Sequence, residues 1–155
     1  MTTHQEISGL IWKVADDVLR GLFKPHEYGD IILPFTVLRR LDCVLEERKD
    51  EVVDLYNQYK NKVDDPAPVI MSRINTTFFN HSQYDLSRLR EDPPNIHLNF
   101  QSYLGGYSEN VVEIIENFQL DKPVDKLNKN NRLYQLIDRF MDVDLMWSNR
   151  FVQPS

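Results

Sequence analysis

Cys43 is the only cysteine in 155 residues, so the chain has no internal disulfide, and a chain of this length does not need one to hold its core. Glycine is almost as scarce. Gly9, Gly21, Gly29 and the Gly105–Gly106 pair are the whole supply. None sits in the strand-to-helix turn that lets a backbone approach a nucleotide or S-adenosylmethionine. Nothing approaches the roughly eighteen uninterrupted apolar residues of a membrane span. A secretory leader is missing too: the first basic residue is Lys13, and Lys13, Asp16, Asp17 and Arg20 interrupt the stretch from Ile7 to Leu22. These absences point to a cytoplasmic protein with no membrane association.

Positive charge is also in deficit. Eighteen Lys and Arg stand against twenty-four Asp and Glu, a net charge of −6, divided as −3 over residues 1–60 and −3 over residues 61–155. That sign excludes a non-specific nucleic-acid coat, so any contact with DNA must come from a local cluster inside a larger assembly. The motifs of several chemistries are missing as well. There is no G-x-x-x-x-G-K-[ST], no H-E-x-x-H and no paired C-x-x-C, and His4, His26, His81 and His97 show no metal-ligand spacing, which leaves them surface or capping roles. Cys43 has no histidine near it in sequence to activate a thiolate. Asp92-Pro93-Pro94-Asn95 has the form of the tetrapeptide that grips a flipped base in amino-methyltransferases. Its fourth residue, however, is an amide and not a stacking ring, and it falls between two expected helices, so it reads as a loop.

The pattern that is present is helical. Ile7, Leu10, Ile11, Val14, Val18, Leu19 and Leu22 recur at three-four spacing, with Trp12 on the margin of the stripe as a core-edge or partner-facing aromatic. Gly21 and the Pro25–Gly29 segment end this helix. Asp30 is a candidate N-cap for the next, with Pro34 near its first turn. Leu38, Leu41, Leu45, Val52, Leu55 and Tyr59 then step by 3, 4, 7, 3 and 4, a heptad seam that skips Arg48 and predicts one long helix near residues 31–60. Packing within the chain is the commoner fate of so short a seam.

After the break at Asp64–Pro68, a short helix is expected around Val69–Ile74. Asp85 can cap another through Leu89, and Asn95 one over Ile96–Leu104. Gly105–Gly106 supplies a turn, Ser108 opens a helix through Phe118, Pro123 suits a first turn leading to Leu127, and Asn131 can cap a last helix carrying Leu133, Leu136, Ile137, Phe140 and Met141. No alternating strand or repeat appears. The expectation is a single all-α, bundle-like domain over residues 1–155.

Two stretches, Ile11-Trp12-Lys13-Val14-Ala15-Asp16 and Tyr28-Gly29-Asp30-Ile31-Ile32-Leu33-Pro34-Phe35-Thr36-Val37-Leu38-Arg39-Arg40-Leu41-Asp42, resemble the opening of the modification (methyltransferase) subunit of type I restriction-modification systems. The likeness continues through Phe78-Phe79-Asn80, Leu104–Val111 and the Leu133–Leu145 helix. It implies the family's helical N-terminal domain, which precedes a Rossmann-like domain that binds S-adenosylmethionine and methylates adenine N6. That catalytic domain is expected after residue 155, so this segment is expected to hold no catalytic, cofactor or metal residue of its own. The implied partners are the specificity subunit, a second modification subunit, the restriction subunit and the duplex DNA that the domain helps to clamp.

For phosphate contact the candidates are Arg39 and Arg40, which fall off the apolar seam, with Arg20 and Lys24 near the preceding turn. The competing role is a solvated or salt-bridged face with Asp42, Glu46 and Glu47. Two other classes remain open: a free-standing helical protein-protein interaction module, and an acidic mimic of DNA, for which the acids are too interleaved with bases. A small hydrolase lacks a nucleophile with its base.

Overall fold

In the computed structural model, residues 4–142 are described, and among them there are helices, turns and two isolated bridges but no strand or sheet. Helix α1 spans His4–Leu19, α2 Gly29–Leu45, α3 Lys49–Tyr59, α4 Ala67–Ile74, α5 Leu86–Leu89, α6 Ile96–Gly105, α7 Glu109–Phe118, α8 Asp121–Lys129 and α9 Leu133–Asp142. The all-α expectation holds. No helix among the described residues is long and apolar enough to cross a membrane.

The first helix buries Ile11, Ala15, Val18 and Leu19. The side chains of Ile7 and Leu10, also assigned to that stripe, lie outside the described residues. The helix stops at Leu19, whose carbonyl accepts both Leu22 N–H and Phe23 N–H at 3.0 Å, and Gly21 turns the chain with φ +86°. A 3-10 turn at Pro25–Glu27 then runs directly into α2. Asp30 is therefore not the N-cap. The Tyr28 carbonyl accepts Ile31 N–H and Ile32 N–H, which starts the helix at Gly29 and leaves Asp30 in the first turn and Pro34 inside the helix.

The span expected as one helix over 31–60 is helical but divided. Glu46–Arg48 forms a 3-10 turn between α2 and α3. At this turn the side chains part: Arg48 points out, pairing with Glu51 at 2.6 Å and donating to the Arg73 carbonyl, while Lys49 turns in and is buried. The seam packs internally, with Leu38, Leu45, Val52 and Leu55 buried and Leu41 and Tyr59 half-buried against them.

The core gathers where α2, α6 and α9 meet. Phe35 lies 5.6 Å from Phe100, nearly parallel at 11°, and 5.8 Å from Phe140. Of the five apolar positions expected on α9, Leu133, Leu136, Ile137 and Phe140 are buried and Met141 is half-buried against them, and α9 packs on α1, α2 and α5. Residues 143–145, expected to continue this helix, lie outside the described residues. Asn131 does not cap α9. Its left-handed φ of +58° ends α8, where Arg132 N–H donates to the Leu127 carbonyl at 2.8 Å. Asp85 does cap α5, accepting Arg88 N–H at 2.7 Å.

Candidate functional site

Three sequence segments that are far apart in the chain converge on one buried polar node. Asp42 in α2 accepts Tyr103 OH at 2.7 Å and Tyr107 OH at 2.9 Å on one carboxylate oxygen, and Leu86 N–H at 2.8 Å on the other. The two hydroxyls stand 2.7 Å apart. Tyr103 comes from α6, Tyr107 from the turn after it, and Leu86 opens α5, so the carboxylate pins three elements to α2.

Beside it, Lys49 Nζ donates to Asn80 Oδ1 at 3.0 Å and reaches its carbonyl at 3.4 Å. Asn80 Nδ2 donates to the Tyr103 carbonyl at 2.9 Å, and Asn80 Oδ1 also accepts Ser82 N–H at 2.8 Å. Gly106 closes the node because only a bare α-carbon fits there. A Cβ would lie 2.7 Å from Ser82 Cβ and 2.8 Å from Asn80 Oδ1. Its carbonyl accepts His81 N–H, and Ser108 N–H donates to the Phe79 carbonyl.

Burial dominates the electrostatics of the node. It lifts the Asp42 carboxyl to about 6, against the pull of the Leu86 N–H and the tyrosine hydroxyls, which favour the ionised form. It pushes the Lys49 ammonium down to about 8, opposed by the charges of Asp42 and Asp85. Burial and then the Asp42 charge raise both tyrosines well above their usual value. His81, stacked on Tyr56 at 3.7 Å, is lowered by burial and by Lys49 and Lys60. It is an intramolecular packing residue, not the surface or capping histidine expected.

These groups hold the fold. No group of three or more His, Cys, Asp or Glu among the described residues could hold a metal ion. The tetrapeptide Asp92–Asn95 is a 3-10 turn, with its acid accepting the Asn95 and Asn99 amides.

The candidate phosphate contacts take no part in the hydrogen bonds of the node. Arg40 is exposed on α2, and Arg39 beside it is half-buried, its Nε buried without a hydrogen-bond partner among the described residues. Asp42, expected as a surface partner for them, is instead consumed by the node, and neither arginine forms an ion pair among the described residues. Arg20 and Lys24 are exposed and likewise form none, whereas Arg48, Arg88, Arg90, Arg139 and Lys129 are all paired.

Trp12 is 44% exposed with its ring 6.1 Å from Tyr28, and Arg20 also acts electrostatically on Tyr28. Arg39 and Arg40 stand apart, about 16 Å further along the α2 axis at 1.5 Å per residue.

The node joins the end of the Tyr28–Asp42 stretch, the Phe78–Asn80 stretch and the Leu104–Val111 stretch, the same segments that carry the family resemblance. A family model described as HsdM N-terminal domain matches residues 7–140. The chain belongs to that family. HsdM is the methyltransferase subunit of type I restriction-modification systems, so the node is the internal framework of that subunit's N-terminal domain. No curated protein and no solved structure matches the chain.

Sequence reasoning missed Lys49, Asn80, Tyr103 and Tyr107 and misplaced Asp42. The one available signal was that Lys49 adjoins the skipped position of the seam.

Proposed function

We propose that this HsdM N-terminal domain clamps duplex DNA and helps to assemble the type I complex, with adenine-N6 methylation carried out by the S-adenosylmethionine-binding domain of the same subunit. Its partners are the specificity subunit, a second modification subunit and the restriction subunit. The observation that carries this reading is the state of Arg39 and Arg40: adjacent cations on one helix, without a carboxylate partner among the described residues, where four of the other seven described arginines are ion-paired. A planar guanidinium that has no internal acid is free to meet a phosphate.

Net charge shapes how this happens. At −6 the domain does not attract DNA by its overall field, so it closes over a duplex already held by the specificity subunit. Arg20 and Lys24 extend the contact beyond α2, and Trp12 offers its exposed ring to a neighbouring subunit, as aromatic anchors commonly do. The proposed architecture is a rigid helical body, held by the Asp42 and Asn80 node, that presents arginines without changing shape.

The test replaces Arg39 and Arg40 together with alanine in the intact modification subunit and measures the affinity of the reconstituted complex for duplexes with and without its recognition sequence. Both affinities should fall by a similar factor, because phosphates carry no base identity. A loss confined to the recognition-sequence duplex, or no loss on either, overturns the assignment.

A further inference from the structure

The start of α2 and the end of α7 enclose a groove of about 400 Å³ that the DNA-contact reading leaves without a role. Its apolar lining comes from Leu33, Pro34, Phe118 and Pro123. Leu33, in the second turn of α2, is 64% exposed. Ile114, one turn before Phe118 on the same face of α7, is 52% exposed and extends the apolar surface.

The rim is acidic. Asp30 lines the groove directly, and Glu113 sits one turn before the lining residue Asn117. Both acids are exposed, and neither forms an ion pair among the described residues. The last carbonyls of α7 bring a partial negative charge to the same region, which offsets the partial positive charge at the start of α2. Pro34 has no N–H to return to the Asp30 carbonyl, so another acceptor at the rim lacks its regular helical donor. Among the described residues, no lysine or arginine lines the groove. Lys122, the nearest in sequence, lines a separate depression with His97, Asp121 and Asp125.

We propose that this α2–α7 groove docks a segment of a partner polypeptide that is apolar on one side and basic at its margin. Apolar side chains of the segment cover Leu33, Phe118 and Ile114, and its lysines or arginines meet Asp30 and Glu113. The segment's orientation follows from α2. Arg40 lies two turns beyond Leu33 on the same face, about 10 Å away, so the basic end must sit at Asp30 and not toward Arg40. A partner seated there holds α2 by its first turns and leaves Arg39 and Arg40 uncovered. The inference does not depend on DNA contact and is tested without DNA.

The probes are three fluorescein-labelled decapeptides titrated into the 155-residue chain at near-physiological salt and read by anisotropy: leucine–lysine at amphipathic helical spacing, leucine–glutamate at the same spacing, and serine–lysine. The leucine–lysine probe should bind about tenfold more tightly than either control. Leu33→Ser and Asp30→Asn should each weaken it about fivefold or more, while Leu98→Ser, at another exposed apolar site on α6, should not. Equal binding of the serine–lysine probe reduces the effect to bulk charge and overturns the proposal. So does equal binding of the leucine–glutamate probe, or full affinity in Leu33→Ser. Self-association of the chain that is lost in Leu33→Ser also overturns it, because the occupant is then a second copy.

Discussion

Replacing Asp42 with asparagine removes one negative charge from the node while keeping nearly the same shape, and its effect should reverse with pH. The Asp42 carboxyl rises from 3.8 in the unfolded chain to about 6 in the folded one. The native state therefore binds more protons between those values. The stabilising contribution of the protonated group is fully present below about 3.8 and is lost as pH rises through about 6. At about 1.4 kcal/mol per pKa unit the loss amounts to about 3 kcal/mol.

Asparagine escapes this loss but has its own cost. Its Oδ1 can still accept Tyr103 OH and Tyr107 OH, but its NH2 then faces the Leu86 N–H, donor against donor, at about 1–3 kcal/mol. The variant should therefore be less stable than the wild type by about 1–3 kcal/mol near pH 4 and should match or exceed it near pH 7. Urea denaturation of both proteins across that range gives the difference directly, and groups common to both cancel. Lys49, pushed down to about 8, is mainly charged over this range in the wild type; removing the Asp42 charge lowers it further, so near pH 7 Lys49 takes back part of the variant's gain. Two parallel stability profiles, with a gap constant to within about 0.5 kcal/mol, would show that Asp42 does not titrate as its burial requires.

Gly106→Ala should destabilise the domain by about 1–3 kcal/mol, measured by chemical denaturation, because the added methyl meets the Ser82 backbone and the Asn80 side chain. An unchanged midpoint would mean that the Asn80 turn yields without cost. Leu45→Ala should cost about 2–5 kcal/mol, and Leu41→Ala clearly less, since Leu45 is buried and Leu41 only half-buried. Equal costs at the two positions would contradict that placement of the seam.

Helices were legible wherever burial follows a short repeat. The α9 stripe, the Asp85 cap and the internal packing of the Leu38–Leu55 seam all follow from spacing alone. Helix ends were less legible because backbone contacts decide them: the Tyr28 carbonyl takes over the start of α2, and a left-handed Asn131 ends α8 where a cap for α9 was expected. Lys49, directly after the division at Glu46–Arg48, turns inward to Asn80, which is 31 positions away in the chain. Asp42 meets Tyr103 across 61 positions. Periodicity carries no information about such pairings, so the node could not be read from it, and Asp42 looked like one more acid beside Arg39 and Arg40. The candidate arginines themselves could be named from their position off the seam. Their lack of acidic partners could not, because it follows from where Asp42 goes.

The most direct test of the proposed role is the slope of log affinity against log salt for the reconstituted complex on duplex DNA, with and without the Arg39→Ala/Arg40→Ala pair. Each phosphate contact contributes about 0.9 to that slope, so the double variant should lose up to about 1.8 units while keeping the recognition-sequence preference. An unaltered slope with normal affinity would return both arginines to an ordinary solvated helix face and contradict the account of this domain as a DNA clamp.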